Sequence, residues 1–338
     1  MIAPHGDVAV PASRYPARAA DRDRWVVERR APRPRHDPWH APTVLVEPER
    51  SVSGEVVDVA TIFLVGRECP WRCVMCDLWQ HTIAGDTPRG AIPAQVRAAM
   101  ATLRAASVPP SQVKLYNAGS WFDRRAVPPA DDGAVAEALD PTTHVIVESH
   151  PALIGSRTWR FRDALAAGGR SLEVAIGLET AHPTALAALN KRLTLDGFAR
   201  AAARLTTHGV SLRVFLLIHP PWIAADQQQA WLRRSVTIAF DCGASVVSLV
   251  PLRSGHALEA LATEVAVGPP TLADVERSVA EVLDLARGRL FVDLWDAERL
   301  HACTACGPQR RQRLLRFNLD QALGPSDSCA RCGEVPAA

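Results

Sequence analysis

No apolar run in this chain approaches the ~18 residues needed to cross a bilayer, so no membrane partner is expected. The first ten residues, MIAPHGDVAV, lack the charged start and apolar centre of a secretion signal. Without an export signal, the eight cysteines are expected as metal ligands in a reducing cytoplasm and not as disulfides. Neither sign of charge dominates. The formal net charge is +2, which neither demands nor forbids a nucleic-acid partner. What is present is a globular composition, 48% hydrophobic and 22% charged. Its 338 residues suffice for one large domain or two ordinary ones. A chain of this size buries roughly three quarters of its unfolded surface.

Three cysteines fall in one short stretch, Val65 to Gln80, read VGRECPWRCVMCDLWQ. Cys69, Cys73 and Cys76 are spaced Cys-x3-Cys-x2-Cys. An apolar run, Val56–Val65, leads into them, and Pro70 keeps the loop from winding directly into a helix. Arg67, Glu68, Trp71, Arg72 and Asp77 surround them, which marks a polar loop and not a core strand. Thiolates this close in sequence can reach one inorganic centre. A structural zinc ion takes four ligands, and an ordinary [4Fe–4S] cluster takes four cysteines. Three thiolates leave one iron of a cluster open; the local alternative is a zinc ion with His81 as fourth ligand.

Beyond residue 56, apolar runs alternate with Ala- and Arg-rich helical stretches. Strands are expected at Val56–Val65, Gln112–Tyr116, His144–Glu148, Leu172–Leu178, Val210–Ile218, Ser245–Val250 and Leu290–Asp293. Helices are expected at Pro93–Ala105, Gly133–Leu139, Ser156–Ala167, Leu195–Thr207, Ala225–Phe240 and Leu272–Ala286. Gly168, Gly209, Gly243 and Gly288 stand where helix C-terminal caps belong. Such alternation means a parallel α/β sheet with right-handed crossovers, either open or curled into a barrel. Residues 1–50, rich in Arg and Pro, are expected as an extended basic arm, either solvated or touching phosphate or an acidic partner.

The Cys-x3-Cys-x2-Cys loop resembles that of the radical S-adenosylmethionine (radical SAM) superfamily. Val147-Glu148-Ser149-His150-Pro151 is similar to the third-strand segment of the elongator-type tRNA acetyltransferase. Ile176-Gly177-Leu178-Glu179-Thr180 with Leu189-Asn190-Lys191-Arg192 resembles a fourth-strand motif of the same group. Within it, the nearest resemblance is to the radical SAM subunit of archaeosine synthase and its uncharacterised bacterial relatives. This implies a partial (β/α)6 barrel over residues 51–296, with a [4Fe–4S] cluster on Cys69, Cys73 and Cys76 and SAM chelated by the open iron. Met75 stands where the family usually has an aromatic residue beside the adenine. Ala118, Gly119 and Ser120 occupy the small-residue turn that binds the SAM amino group, without the family's acid. Glu148 and Glu179 are then expected to meet the ribose hydroxyls or the amine, and Arg253 the methionine carboxylate.

Residues 297–338 form a separate four-cysteine, zinc-knuckle-like segment. Cys303-Thr304-Ala305-Cys306 and Cys329-Ala330-Arg331-Cys332 flank a helix from about Gln309 to Leu323. Four thiolates suit a closed zinc site or an auxiliary iron–sulfur cluster. Cys242, alone at a helix end, is expected to be a packing residue. His150, His219 and His256 are candidate acid–base groups. Trp79, Trp121 and Trp222 are candidates for stacking on a planar substrate or for packing. The expected activity is reductive cleavage of SAM to a 5′-deoxyadenosyl radical that takes hydrogen from a small molecule, a modified nucleobase or a tRNA. It is of oxidoreductase or lyase type, with a flavodoxin or ferredoxin as one-electron donor. The alternative is a non-catalytic zinc-stapled module binding RNA through Arg310, Arg311, Arg313 and Arg316.

Overall fold

A computed structural model describes residues 14–106, 110–262, 264–265, 268–300, 303–325 and 328–332. The chain enters through helix α1 (Ala19–Glu28) and strand β1 (Thr43–Arg50). Strand β2 (Val56–Leu64) follows, then α2 (Ala91–Ala105), β3 (Gln112–Asn117), α3 (Asp132–Ala138) and β4 (His144–Glu148). Next come α4 (Ser156–Ala166), β5 (Ser171–Glu179), α5 (Pro183–Ala188), α6 (Leu195–Thr207) and β6 (Ser211–Ile218). The chain ends in α7 (Gln228–Asp241), β7 (Val246–Pro251), α8 (His256–Leu261), α9 (Leu272–Val282), β8 (Arg289–Val292) and α10 (Gly307–Asp320). The strands form one eight-stranded sheet in sequence order. β1 is antiparallel to β2, and β2 to β8 run parallel.

The segment expected as an extended arm departs from that expectation, because it holds α1 and β1. Its prolines are bunched. None lies between Pro16 and Pro32, which leaves α1 free to form, while Pro32, Pro34, Pro38 and Pro42 fill the link to β1. Pro48 lies within β1, which a strand at the edge of a sheet tolerates.

The sheet is curled. Neighbouring strands lie about 4.8 Å apart, so a flat sheet would separate β1 and β6 by roughly 24 Å. Yet Arg213 Nη2 on β6 lies 2.7 Å from Glu49 Oε1 on β1, and its Nε lies 2.6 Å from Glu173 Oε1 on β5. Lys114 on β3 also pairs with Glu49. These groups sit at the amino ends of the parallel strands and close the bottom of a partial barrel. Outside the sheet, the apolar faces of the helices pack on it, with Ile92, Phe161, Phe198, Val236, Val279 and Phe317 all fully buried.

One edge of the opening is sealed by side chains. The Asn318 amide accepts from Val292 N and donates to Val292 O, both at 2.8 Å. The Gln321 amide does the same for Leu290, at 2.7 and 2.9 Å. Two amides of α10 thus stand in for a ninth strand along β8. Unpaired backbone groups there would otherwise be buried at a cost.

Burial pushes the Glu49 carboxyl up, but Arg213 and Lys114 outweigh it and hold it down at about 2. Burial opposes ionisation of Glu173 as well, and Arg213 again prevails and lowers it. Both folded values lie below the unfolded ones. Their contribution is therefore complete above about pH 4.5 and lost as pH falls toward 2. Arg213→Met takes the hydrogen-bonded guanidinium from buried Glu173, leaves Glu49 with Lys114 alone, and should cost about 3–5 kcal/mol at pH 7 by denaturant titration. It should also invert the acid slope, the variant gaining stability relative to wild type on acidification. An unchanged slope would show that Arg213 does not carry the closure.

Candidate active site at the barrel mouth

The loop from Val65 to Gly90 crosses the carboxyl ends of the strands and is docked there by its own residues. The Trp71 ring stacks on His150 at 3.6 Å and 13°. Val74 N donates to Leu189 O at 3.1 Å, and Asn190 Nδ2 donates to Arg72 O at 2.8 Å. Gly119 lies tight under the loop; a Cβ there would stand 2.8 Å from the Arg67 carbonyl. Consecutive residues face opposite ways. Cys69 turns inward, hydrogen-bonded to Ser120 and within the field of Lys191 and Glu148. Glu68 turns outward, to Arg30 at 2.7 Å, Arg72 at 3.0 Å and Arg33.

All three thiols of the loop face one cluster of charge. Cys73 interacts with Lys191, Cys76, Cys69 and Glu179, and Cys76 with Cys69, Glu148 and Lys191. Burial raises all three thiols, Cys76 to about 12. They do not crowd to single-ion spacing. Among the described residues, a set of three or more His, Cys, Asp or Glu ligand atoms within 4.8 Å of one another occurs at the C-terminal cysteines and not here. A lone ion with bonds of about 2.3 Å needs its sulfurs within roughly 4.6 Å. The alternative of one zinc held by this loop and His81 lacks that spacing; a multi-iron centre is wider.

The floor of the mouth is an ion pair. Lys191 Nζ lies 2.6 Å from Glu179 Oε1, both buried. A Cβ at Gly177 would collide with both head groups, so the glycine makes the room they fill. Glu179, Asn190 and Arg192 carry φ of 67°, 60° and 61°, left-handed conformations unusual outside glycine. Burial lowers Lys191, but the carboxylates and thiols around it raise it further, so it stays an ammonium. Glu148 stands beside the pair; burial lifts it to about 7 against the pull of Lys191.

Of the residues expected to touch SAM, Ser120, Glu148 and Glu179 meet around the thiols, with Ala118 and Gly119 in the turn beneath the loop. Met75 packs on an apolar cluster of Trp25, Val26, Val74, Leu189, Leu217 and Leu252. Arg253 is drawn aside, 3.1 Å from Asp293 and donating to Trp295 O at 2.7 Å. His150 has both ring nitrogens engaged, Nδ1 by Ala152 N–H and Nε2 by Lys191 O at 2.9 Å. Burial and Lys191 hold it neutral, down at about 4, which makes it a loop anchor and not an acid–base group. His219 faces Asp274 and Arg277, and His256 lies near Asp77 and Trp79. Trp121 packs on Phe161 in the helix layer, Trp79 lies under Arg30, and Trp222 packs on Tyr15. Lys191 was assigned no role from the sequence. Its signal was rarity: the chain has two lysines, Lys114 and Lys191, and both lie inside the barrel.

No family model matches the chain. It is 27% identical over 300 residues to archaeosine synthase subunit beta of Methanosarcina acetivorans, covering 83% of this chain and 84% of that one. It is 23% identical over 237 residues to an uncharacterised protein of Methanocaldococcus jannaschii, covering 66% and 64%. In structure it is similar to methylornithine synthase, with a TM-score of 0.51 at 14% identity over 78% of this chain and 69% of that one. The chain is thus similar to proteins of the radical SAM superfamily. The likeness to methylornithine synthase is one of fold.

A second group of cysteines, able to hold a metal ion, lies near the C-terminus. Cys303 Sγ lies 3.9 Å from Cys329 Sγ, and Cys306 Sγ 3.8 Å from Cys332 Sγ, with all four within 4.8 Å of one another. Metal–sulfur bonds of about 2.3 Å in a tetrahedron place sulfurs roughly 3.8 Å apart. The N–H groups of Cys306 and Ala305 lower Cys303, and those of Cys332 and Arg331 bring Cys329 down to about 6. Both shifts favour the thiolate form that binds a metal. Cys242 is half-buried against the main core. The double variant Cys306→Ser/Cys332→Ser should lose one metal ion per chain by elemental analysis and melt several degrees lower. Loss of several irons with sulfide would mean a cluster, and unchanged metal content would mean no site.

Proposed function

We propose that the chain is a radical SAM enzyme whose cluster is held by Cys69, Cys73 and Cys76. The observation that carries this reading is the convergence of those three thiols with Ser120, Glu148, Glu179 and Lys191 over one barrel mouth. The donor set fits: three inward thiols on one loop, spaced wider than a single ion takes. When bound, a [4Fe–4S] cluster and SAM supply one-electron cleavage of SAM to methionine and a 5′-deoxyadenosyl radical, which takes hydrogen from the substrate.

The protein's part is geometry and electrostatics. Backbone carbonyls of Ala118, Gly119 and Ser120 offer acceptors to the amino group of SAM. Glu148 accepts from the ribose hydroxyls. Glu179, paired at 2.6 Å with Lys191, faces the sulfonium side. Arg253 can release Asp293 to pair with a carboxylate. Met75 offers a thioether to the adenine. Trp71 on His150 holds the loop rigid and helps exclude water.

The likeness to an archaeosine synthase subunit favours a nucleobase or tRNA substrate, with bond cleavage of lyase or oxidoreductase type. A flavodoxin or ferredoxin in the cytoplasm would donate the electron. The C-terminal site takes zinc in this reading, since its sulfurs stand at the spacing of one tetrahedral ion. The alternative, an RNA-binding zinc module, loses half of its basic face: Arg310 and Arg313 turn inward onto Glu276, while Arg311, paired with Glu298, and the exposed Arg316 remain at the surface.

Anaerobic reconstitution tests the reading. Wild type should bind four irons at the loop and release 5′-deoxyadenosine from SAM under strong reductant. Replacing Cys69, Cys73 and Cys76 by Ala should abolish both and spare the C-terminal metal. A triple variant that still forms 5′-deoxyadenosine rules the reading out.

A further inference from the structure

The outer side of the cysteine loop has no part in the mouth, yet it is built with care. Arg33 donates to Ile83 O at 2.8 Å, His36 meets Gln80 O at 2.6 Å, and the Trp39 ring lies 3.8 Å from the position of a Cβ on Gly90. Ile83 N donates to Gly66 O, Arg67 N to the Thr87 hydroxyl, and Thr87 N to Arg125 O. The segments around 33–40, 66–90 and 123–125 therefore form one continuous face. Its charge is one-sided. Arg35, Arg89 and Arg124 are exposed and form no ion pair among the described residues. Arg67 and Arg125 share a single acid, Asp86. Asp37 meets His40, and Glu68 lies beneath, already matched by three guanidiniums. Trp39 is 56% exposed on the same segment. A large exposed aromatic on a face that also carries unpaired arginines is the composition of a protein-docking surface.

Resting on the cluster reading above, we propose that this face docks an acidic one-electron donor protein. Two observations choose the occupant. The face is basic, so the partner must be acidic. It is also the back of the loop that carries the thiols: Glu68 just beneath the face and Cys69 at the mouth are neighbours, and Arg72 bonds the Cys69 carbonyl. A donor seated on Trp39 and the arginines would be separated from the inward thiols by the thickness of one loop. The step is the transfer of one electron. The donor's reduced flavin or iron–sulfur centre is oxidised by one electron, and the loop's cluster is reduced by one, with no proton or bond exchanged. The mouth stays free for substrate on the opposite side.

The test uses the reconstituted full chain and an acidic flavodoxin in its fully reduced form. Arg89→Glu/Arg124→Glu changes two exposed arginines outside the site. Binding is measured by titration, and cluster reduction by stopped-flow bleaching of the visible iron–sulfur absorbance. The variant should bind flavodoxin at least tenfold more weakly and accept its electron at least tenfold more slowly. Wild type should slow as ionic strength rises, and the variant should lose most of that dependence. Reduction by dithionite should be equal in both. Equal flavodoxin binding and reduction in variant and wild type would overturn the proposal. So would a variant that keeps its donor kinetics and loses affinity for tRNA, which would assign the face to RNA. A wild type that dithionite cannot reduce would instead remove the cluster reading beneath it.

Discussion

The buried guanidinium of Arg213 is the contact on which the architecture turns. It joins Glu173 beside it to Glu49 on the far edge of the sheet, and only a curled sheet allows that. Curling is what brings the carboxyl ends of β2, β3, β4 and β5 over a common mouth. The two-residue period of a strand carries the consequence upward. Two residues beyond Lys114 is Tyr116, and two beyond Arg213 is Phe215; their rings meet at 6.4 Å across the lumen. Four residues beyond Glu173 is Gly177, whose missing side chain seats Lys191 and Glu179. The ionic floor, the aromatic middle and the charged mouth are thus successive layers on one set of inward positions.

At the mouth the chain accepts unfavourable local conformations to aim side chains. Glu179, Asn190 and Arg192 are left-handed, as are His219 and Trp222 after β6. Conformations of this kind cost of order 1–3 kcal/mol each and persist only where surroundings enforce them. The enforcement here is visible. Asn190 ties Arg72 O to Asp23 of α1, and Arg192 reaches the same aspartate at 2.7 Å. Tyr15 donates to Ala188 O at 2.6 Å. The N-terminal segment therefore belongs to the site: it braces the loop after β5 from one side and clamps Glu68 from the other.

The sheet was legible in the sequence because its strands are apolar runs bounded by helix caps, and the seven parallel strands fall within a residue or two of expectation. β1 was not legible. Half of it is charge and proline, Glu47-Pro48-Glu49-Arg50, and it is a strand only because β2 presents a partner edge. The cysteine loop and the strand-end carboxylates could be read because a motif and an alternation pointed to them. Lys191 could not be, since its place depends on a loop folding back over Gly177. Nor could the fate of Arg310 and Arg313: an arginine-rich helix looks solvent-facing until Glu276, itself 1% exposed, is found beneath it. Periodicity reports which face is apolar; it does not report a buried acid on a neighbouring helix.

The C-terminal cysteines gain meaning from that same helix. Cys306 caps the start of α10 and Gln321 follows its end, so the four-cysteine group adjoins one end of the helix whose other end seals β8. Without that seal, Leu290 and Val292 would present paired donors and acceptors on an open edge, a template for association with another chain. Zinc-type sites add about 10–16 kcal/mol of apparent binding energy to the folded state. A metal held by the four cysteines would act in series with the amides on the strand, because the amides reach β8 only if the helix is held. The Arg50 guanidinium on β1, donating to Leu319 O at 3.0 Å, carries the chain of contacts across the gap. Arg289 on β8, donating to Arg50 O at 3.1 Å, completes it. The two ends of the sheet are joined through α10, and the barrel that Arg213 closes from within is closed a second time from outside.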